Sequence, residues 1–120
     1  MKLTNGDVFL CKEALQHLTD RDDIPIKYSM PIVRMAKKLN EEHVLIDQKR
    51  NRLIQKYGET KEGQVSIKPD NPNWDKFAQE FTELMNLETE VNITPAKIPE
   101  TIIIPNKDLM FLEPFLEVVE

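Results

Sequence analysis

The sequence predicts an α+β fold that is mainly helical. Three stretches carry apolar residues at helical spacing, short β-branched runs alternate in strand fashion, and prolines punctuate the segments between them. At 120 residues, 40% apolar and 31% charged, the chain suits one domain (1–120) with a thin core and much wet helix surface.

The first helix is predicted over about 5–18. Thr4 or Asn5 can accept a hydrogen bond from the free amides of the first turn, and Asp7 stands favourably against the dipole. Val8, Cys11, Ala14, Leu15 and Leu18 recur three and four residues apart and gather into one buried stripe, in which Cys11 is a small hydrophobe. Asp20-Arg21-Asp22-Asp23 breaks the pattern, and Ile24-Pro25-Ile26 is expected to be extended, because a residue before proline is pushed out of the helical region. The acidic cluster lacks the spaced oxygen ligands, glycine and distal glutamate of a calcium loop.

A second helix is predicted over about 29–57, capped by Ser29, with Pro31 in its first turn and Gly58 as its stop. It would be about 42 Å long at ~1.5 Å per residue. Ile32, Leu39, Ile46 and Leu53 repeat every seven residues, but the positions four further on are Ala36, His43, Arg50 and Tyr57. Only one row of a coiled-coil seam is apolar, so the helix is expected to pack against the first and third helices. Lys49, Arg50, Arg52 and Lys56 would then form a wet, basic end.

Glu59 to Pro69 reads as a turn and a short strand holding Val65 and Ile67. After a turn at Asp70-Asn71-Pro72-Asn73, a third helix is predicted over about 73–86. Trp74, Phe77, Ala78, Phe81, Leu84 and Met85 make it the best amphipathic pattern in the chain, and its aromatic residues are expected to anchor the core. Glu88 to Ile93 alternates as a half-buried strand and is expected to pair with the Val65/Ile67 segment in a small antiparallel sheet. Thr101 to Ile104 could add an edge strand. A short C-terminal helical turn, capped by Asn106 or Asp108, should run through Leu112, and Phe115 to Glu120 should finish extended.

No chemistry-bearing motif emerges. Gly6, Gly58 and Gly63 cannot compose a phosphate-cradling loop, and Cys11, His17 and His43 cannot complete a zinc site of the usual cysteine and histidine kind. Acid pairs such as Glu41/Glu42 and Glu88/Glu90 say little in a chain with 21 acids. No catalytic, cofactor-binding or metal-ligating residue is assigned, and the expectation is a non-enzymatic protein without a cofactor. One cysteine allows no intrachain disulfide, which fits a reducing cytoplasm, and the sequence holds no basic-then-apolar leader or membrane-length apolar run.

The net charge of −5 is unevenly spread. Nine basic residues face four acids between Lys27 and Lys61, leaving the rest of the chain strongly acidic. Such asymmetry can steer a charged partner or be neutralised within the chain. The acidic total, and the lack of aromatics interleaved with the basic residues before Tyr57, argue against nucleic acid as the partner.

Three stretches taken together carry a resemblance: Met1-Lys2-Leu3-Thr4-Asn5-Gly6, the helix from Ala36-Lys37-Lys38-Leu39-Asn40-Glu41 to Tyr57-Gly58-Glu59, and Leu109-Met110-Phe111-Leu112-Glu113-Pro114-Phe115. They resemble a family of small uncharacterised proteins encoded by tailed bacteriophages and prophages. The resemblance implies a phage gene product made in the bacterial host cytoplasm and brings no reaction with it. Two functions are then expected in order: an accessory or assembly factor that docks on another phage protein during virion morphogenesis, itself virion-associated in one version; and an inhibitor that disables a host enzyme, a defence nuclease or the transcription machinery, through the acid-rich C-terminal part. Phe111, Leu112, Pro114 and Phe115 are the candidate docking residues, against the structural alternative that they close the core. The long helix also leaves a homo-oligomer open.

Overall fold

Thr4 starts the first helix by a reciprocal exchange. In the computed structural model, which describes residues 1–120, strand β1 (Lys2–Thr4) leads directly into α1 (Asn5–Thr19). The Thr4 Oγ1 accepts from the Asp7 N–H at 3.0 Å, and the Thr4 N–H donates to Asp7 Oδ2 at 3.0 Å, satisfying two amides that the helix cannot. The predicted stripe of Val8, Cys11, Ala14, Leu15 and Leu18 is buried.

Helix α2 (Ile26–Tyr57) begins ahead of the expected Ser29. Pro25 is its cap: the Pro25 carbonyl accepts from the amides of Tyr28 and Ser29 at 2.9 and 3.0 Å, so no side-chain acceptor is required. Pro31 consequently lies inside the helix rather than in its first turn, where its missing amide denies the Lys27 carbonyl a helical donor. At the other end Gly58 stops the helix, but its φ of −82° is not left-handed. Its requirement is space, because a Cβ there would stand 2.5 Å from the carbonyl oxygens of Ile54 and Ser66. The hairpin of β2 (Glu59–Lys61) and β3 (Gln64–Ser66) thereby folds hard against the helix end. Glu62 and Gly63, with φ of 51° and 78°, form a two-residue turn of the kind that matches strand twist.

The sheet expectation needs correcting at three places. Val65 pairs with Thr60 within the hairpin, not with the segment after the third helix. That segment supplies β4 (Glu88–Glu90), which runs antiparallel to β1 in the register Lys2↔Glu90, Leu3↔Thr89, Thr4↔Glu88. A two-residue loop closes at small entropic cost, whereas α3 (Trp74–Asn86) returns the chain to the N-terminus, where the Asn5 amide donates to Leu87 O and Asn5 Nδ2 to Leu84 O, both at 2.9 Å. Third, Thr101 to Ile104 is no strand. Ile102 and Ile104 turn inward onto the core while Ile103 stays 82% exposed. The last extended segment, β6 (Leu116–Val119), instead pairs in parallel with β5 (Ala96–Pro99), the two joined through α4 (Asn106–Leu112) and a 3-10 turn at Glu113–Phe115.

One cluster of 17 buried residues forms the core, drawn from β1, α1, Ile24 of the connector after it, the first part of α2 and the chain from Val91 to Phe115. No member lies between Ile46 and Val91. The expected aromatic anchors are therefore corrected: of Trp74, Phe77 and Phe81, only Phe77 is buried, and none belongs to the core cluster. They form a separate seam, with ring centroids 5.6 Å apart for Trp74–Phe77 and 5.8 Å for Phe77–Phe81, reaching α1 through Phe9 at 6.4 Å. The molecule measures 53 × 29 × 22 Å, α2 being its long axis.

Candidate functional site

The four candidate docking residues are divided by the core. Leu112 and Phe115 are fully buried, which corrects the expectation that they present a surface. Phe111 and Pro114 remain outside, beside the exposed Leu109 and Met110. The short helix α4 lays Leu112 inward, and the 3-10 turn then swings Phe115 into the same core.

The basic end of α2 is divided too. Arg50 is half-buried 5.6 Å above the Phe9 ring, with Nη2 3.7 Å from Asp47, and its Nε is buried without a hydrogen-bond partner. Lys56 lies 3.7 Å from Glu80 and 5.0 Å above the Tyr57 ring. Lys49 and Arg52 alone are exposed without an acidic partner. The charge run thus partly resolves into contacts within the chain, each worth little where exposed.

A denser convergence of positive charge lies at the opposite end of α2. The first turns of that helix, the chain leading into β5 and the end of β6 enclose a cleft of about 700 Å³. Lys27, Arg34 and Lys38 reach it from α2 and Lys97 from β5. Glu120 is the only acid in its lining, and none of the four cations takes part in an ion pair. Lys38 Nζ donates to the Asn92 carbonyl at 2.9 Å, which fixes its stem, and Lys27 Nζ stands 5.0 Å from the ring of Tyr28. Buried Met35, Ile93 and Ala96 supply an apolar floor. Spacings of seven and four residues already set Lys27, Arg34 and Lys38 on one helix face, whereas Lys97 arrives only through the tertiary fold.

On the other side of α2, a groove of about 560 Å³ runs along α1 with Cys11, Leu15 and Leu39 at its bottom. Burial pushes the Cys11 thiol up to about 12 and its Sγ donates to the Val8 carbonyl at 3.2 Å, so this sulfur is a core group rather than a nucleophile. Each histidine lies beside a carboxylate, but only His17 is hydrogen-bonded to it. His17 Nδ1 sits 3.2 and 3.1 Å from the two oxygens of Asp108, bracing α1 against α4. His43, 6% exposed, stacks on Phe9 at 5.5 Å and has Nδ1 3.2 Å from Asp47. Its pKa is lowered, burial outweighing the attraction of Asp47, with Lys12 adding to the depression.

Chemically, no three histidine, cysteine, aspartate or glutamate side chains come together as metal ligands. The Asp20–Asp23 segment is occupied internally, Arg21 donating to both oxygens of Asp23 at 2.8 and 2.6 Å. Among the acids of the C-terminal part, Glu88 is 2.9 Å from Lys2, Glu90 is 3.1 Å from the Met1 amine, and Asp108 holds His17. No helix is long and apolar enough to cross a membrane. Comparison with protein-family models, with curated proteins and with solved structures finds no match.

Proposed function

We propose that this chain is a phage-encoded, non-catalytic protein-binding protein, an accessory or assembly factor for virion morphogenesis that works in the bacterial host cytoplasm and can leave with the virion. The observation that carries the binding reading is the stretch from Asp47 to Phe81, which supplies no member of the core cluster and stands out as α2's last turns, an exposed hairpin and the first turns of α3, before Leu84 and Met85 pack back against the core. Ordering such a segment costs backbone entropy that the core does not return, and a partner seated along it supplies a reason to maintain it. The phage assignment rests on the sequence resemblance.

The second reading, an inhibitor of a host enzyme, draws on the acid-rich C-terminal part. Three acids of that region are engaged within the chain, leaving Glu100, Glu113, Glu117 and Glu120 to present negative charge. The test for both is affinity capture with the tagged full chain from infected cells. Recovery of a phage head or tail protein that also binds the purified chain is the expected result. Recovery of a host enzyme whose activity falls on addition of the chain replaces the first reading with the second, and capture of no protein removes both.

A further inference from the structure

We propose that the cleft between the start of α2 and the β5–β6 pair is a binding site for an extended acidic segment of a partner protein. This deepens the protein-binding reading above and rests on it. In a chain whose net charge is −5, Lys27, Arg34, Lys38 and Lys97 converge on one concavity with Glu120 as the sole acid in the lining. Four cations gathered with one acidic side chain leave an excess of positive charge, and their mutual repulsion is relieved by an anionic occupant. A volume of about 700 Å³ is that of a ligand-sized site.

Three features choose the occupant. The floor of Met35, Ile93 and Ala96 is apolar, so the ligand should present apolar side chains inward as well as carboxylates outward. An extended peptide with acidic and apolar residues alternating does both, because successive side chains point to opposite faces. The charge pattern is bounded: four cations in one cleft answer a short acidic stretch. The acidic remainder of the chain repels a long polyanion such as duplex DNA, which carries one negative charge per ~1.7 Å. The site also has a fixed element, since Lys38 is anchored on the Asn92 carbonyl and so loses less freedom when it meets a carboxylate.

The test uses fluorescence anisotropy with the full chain at about 0.15 M salt, where long-range steering is screened. The probes are a short fluorescein-labelled peptide of alternating Glu and Leu and a labelled single-stranded oligonucleotide of equal net charge. The peptide is expected to bind the more tightly, and R34E/K97E to weaken it by about tenfold or more, while K49E/R52E, the same charge change at the other end of α2, leaves it within about twofold. Both variants alter exposed side chains, and circular dichroism melting checks that they fold; R34Q/K97Q, which removes charge without reversing it, serves if R34E/K97E does not. Equal weakening by the two charge reversals would overturn the site, as would tighter binding of the oligonucleotide or no binding of the peptide. The capture experiment separates this inference from the reading beneath it. A phage protein captured equally well by wild type and R34E/K97E removes the cleft and keeps the protein-binding function; peptide binding with the expected mutant pattern but no captured protein does the reverse.

Discussion

The two ends of α2 are built on different principles. Around its first part, from Ile32 to Ile46, side chains from β1, α1, Val91 to Ile98, Leu112 and Phe115 enclose it, and the buried residues there form one continuous cluster. Beyond Ile46 the same helix meets α3, the hairpin and, through Arg50, the Phe9 ring of α1, and the contact is a row of rings with one ion pair, Lys56–Glu80. The first region, the body, is stabilised by hydrophobic burial shared among many elements. The second, the arm, depends on a single packed face, and opening free energies within one protein fall where buried apolar contacts are few. The difference teaches that helix length alone does not transmit rigidity.

The largest expected effect tests whether the division exists. Phe115→Ala empties a fully buried site in the body and should cost about 3–5 kcal/mol. Phe81→Ala, in the arm, removes a half-buried ring and should cost about 1–2 kcal/mol, since much of that surface is already wet. Urea unfolding of both variants measures the pair. Equal costs would break the comparison, because the arm would then be as much a part of the core as α4.

A smaller effect concerns how the body is braced. Asp108 is buried and its carboxylate receives both close approaches from His17, so Asp108→Ala should destabilise the chain by about 1–2 kcal/mol. Native-state hydrogen exchange should show the loss in α1 and α4 while α3 is unchanged. Faster exchange spread evenly over α3 would mean that arm and body open together.

How much of this was legible in the sequence follows the range of the interaction. The stripe Val8, Cys11, Ala14, Leu15 and Leu18 and the turn signals at Thr4 and Gly58 act over a few residues, and they placed α1, α2 and α3 within a turn of their observed ends. What periodicity cannot convey is which face is covered by what. Trp74, Phe77 and Phe81 have the spacing of a core stripe, and that spacing is identical whether the opposing surface is a full core or one neighbouring helix. Strand pairing was hidden for a similar reason: Val65 found Thr60 through a local turn, and β4 found β1 only because α3 had the length to carry it back. Leu112 and Phe111 are neighbours in α4 and so point to different sides of that helix, while the change to 3-10 winding at Glu113, which no composition signal marks, brings Phe115 into the core beside Leu112. In the cleft, Lys27, Arg34 and Lys38 share a readable face, but Lys97 comes from a strand far along the chain.

The junction between the regions should respond to pH. His43 is buried where α1 meets the middle of α2, stacked on Phe9, facing Asp47 from its own helix and Lys12 from α1. Its folded pKa lies below the ordinary 6.5, so between those two values the unfolded chain binds the proton more readily. Stability attributable to this group is therefore complete above 6.5 and falls as the pH drops toward the folded pKa. Melting temperature should decline over that window, and His43→Phe, which keeps a ring against Phe9, should flatten the slope. An unchanged slope in the variant would assign the decline to other groups.

The finest distinction lies at the tip of the arm. Gly63 has φ of 78° and nothing stands within 4 Å of where a Cβ would be, so Gly63→Ala meets no clash and its cost is conformational, about 1–2 kcal/mol for forcing an L-residue into the left-handed region. β2 and β3 are exposed throughout and share no residue with the core cluster, so the hairpin can lose its pairing without the body unfolding. The expected result is faster amide exchange in the hairpin with a melting temperature within about 1 °C of wild type, because the global transition reports only structure lost in common. A fall of several degrees would show that the Gly58 contact with Ser66 couples the hairpin to α2 more firmly than its exposure suggests, and the arm would then end at Asn86 rather than at the turn.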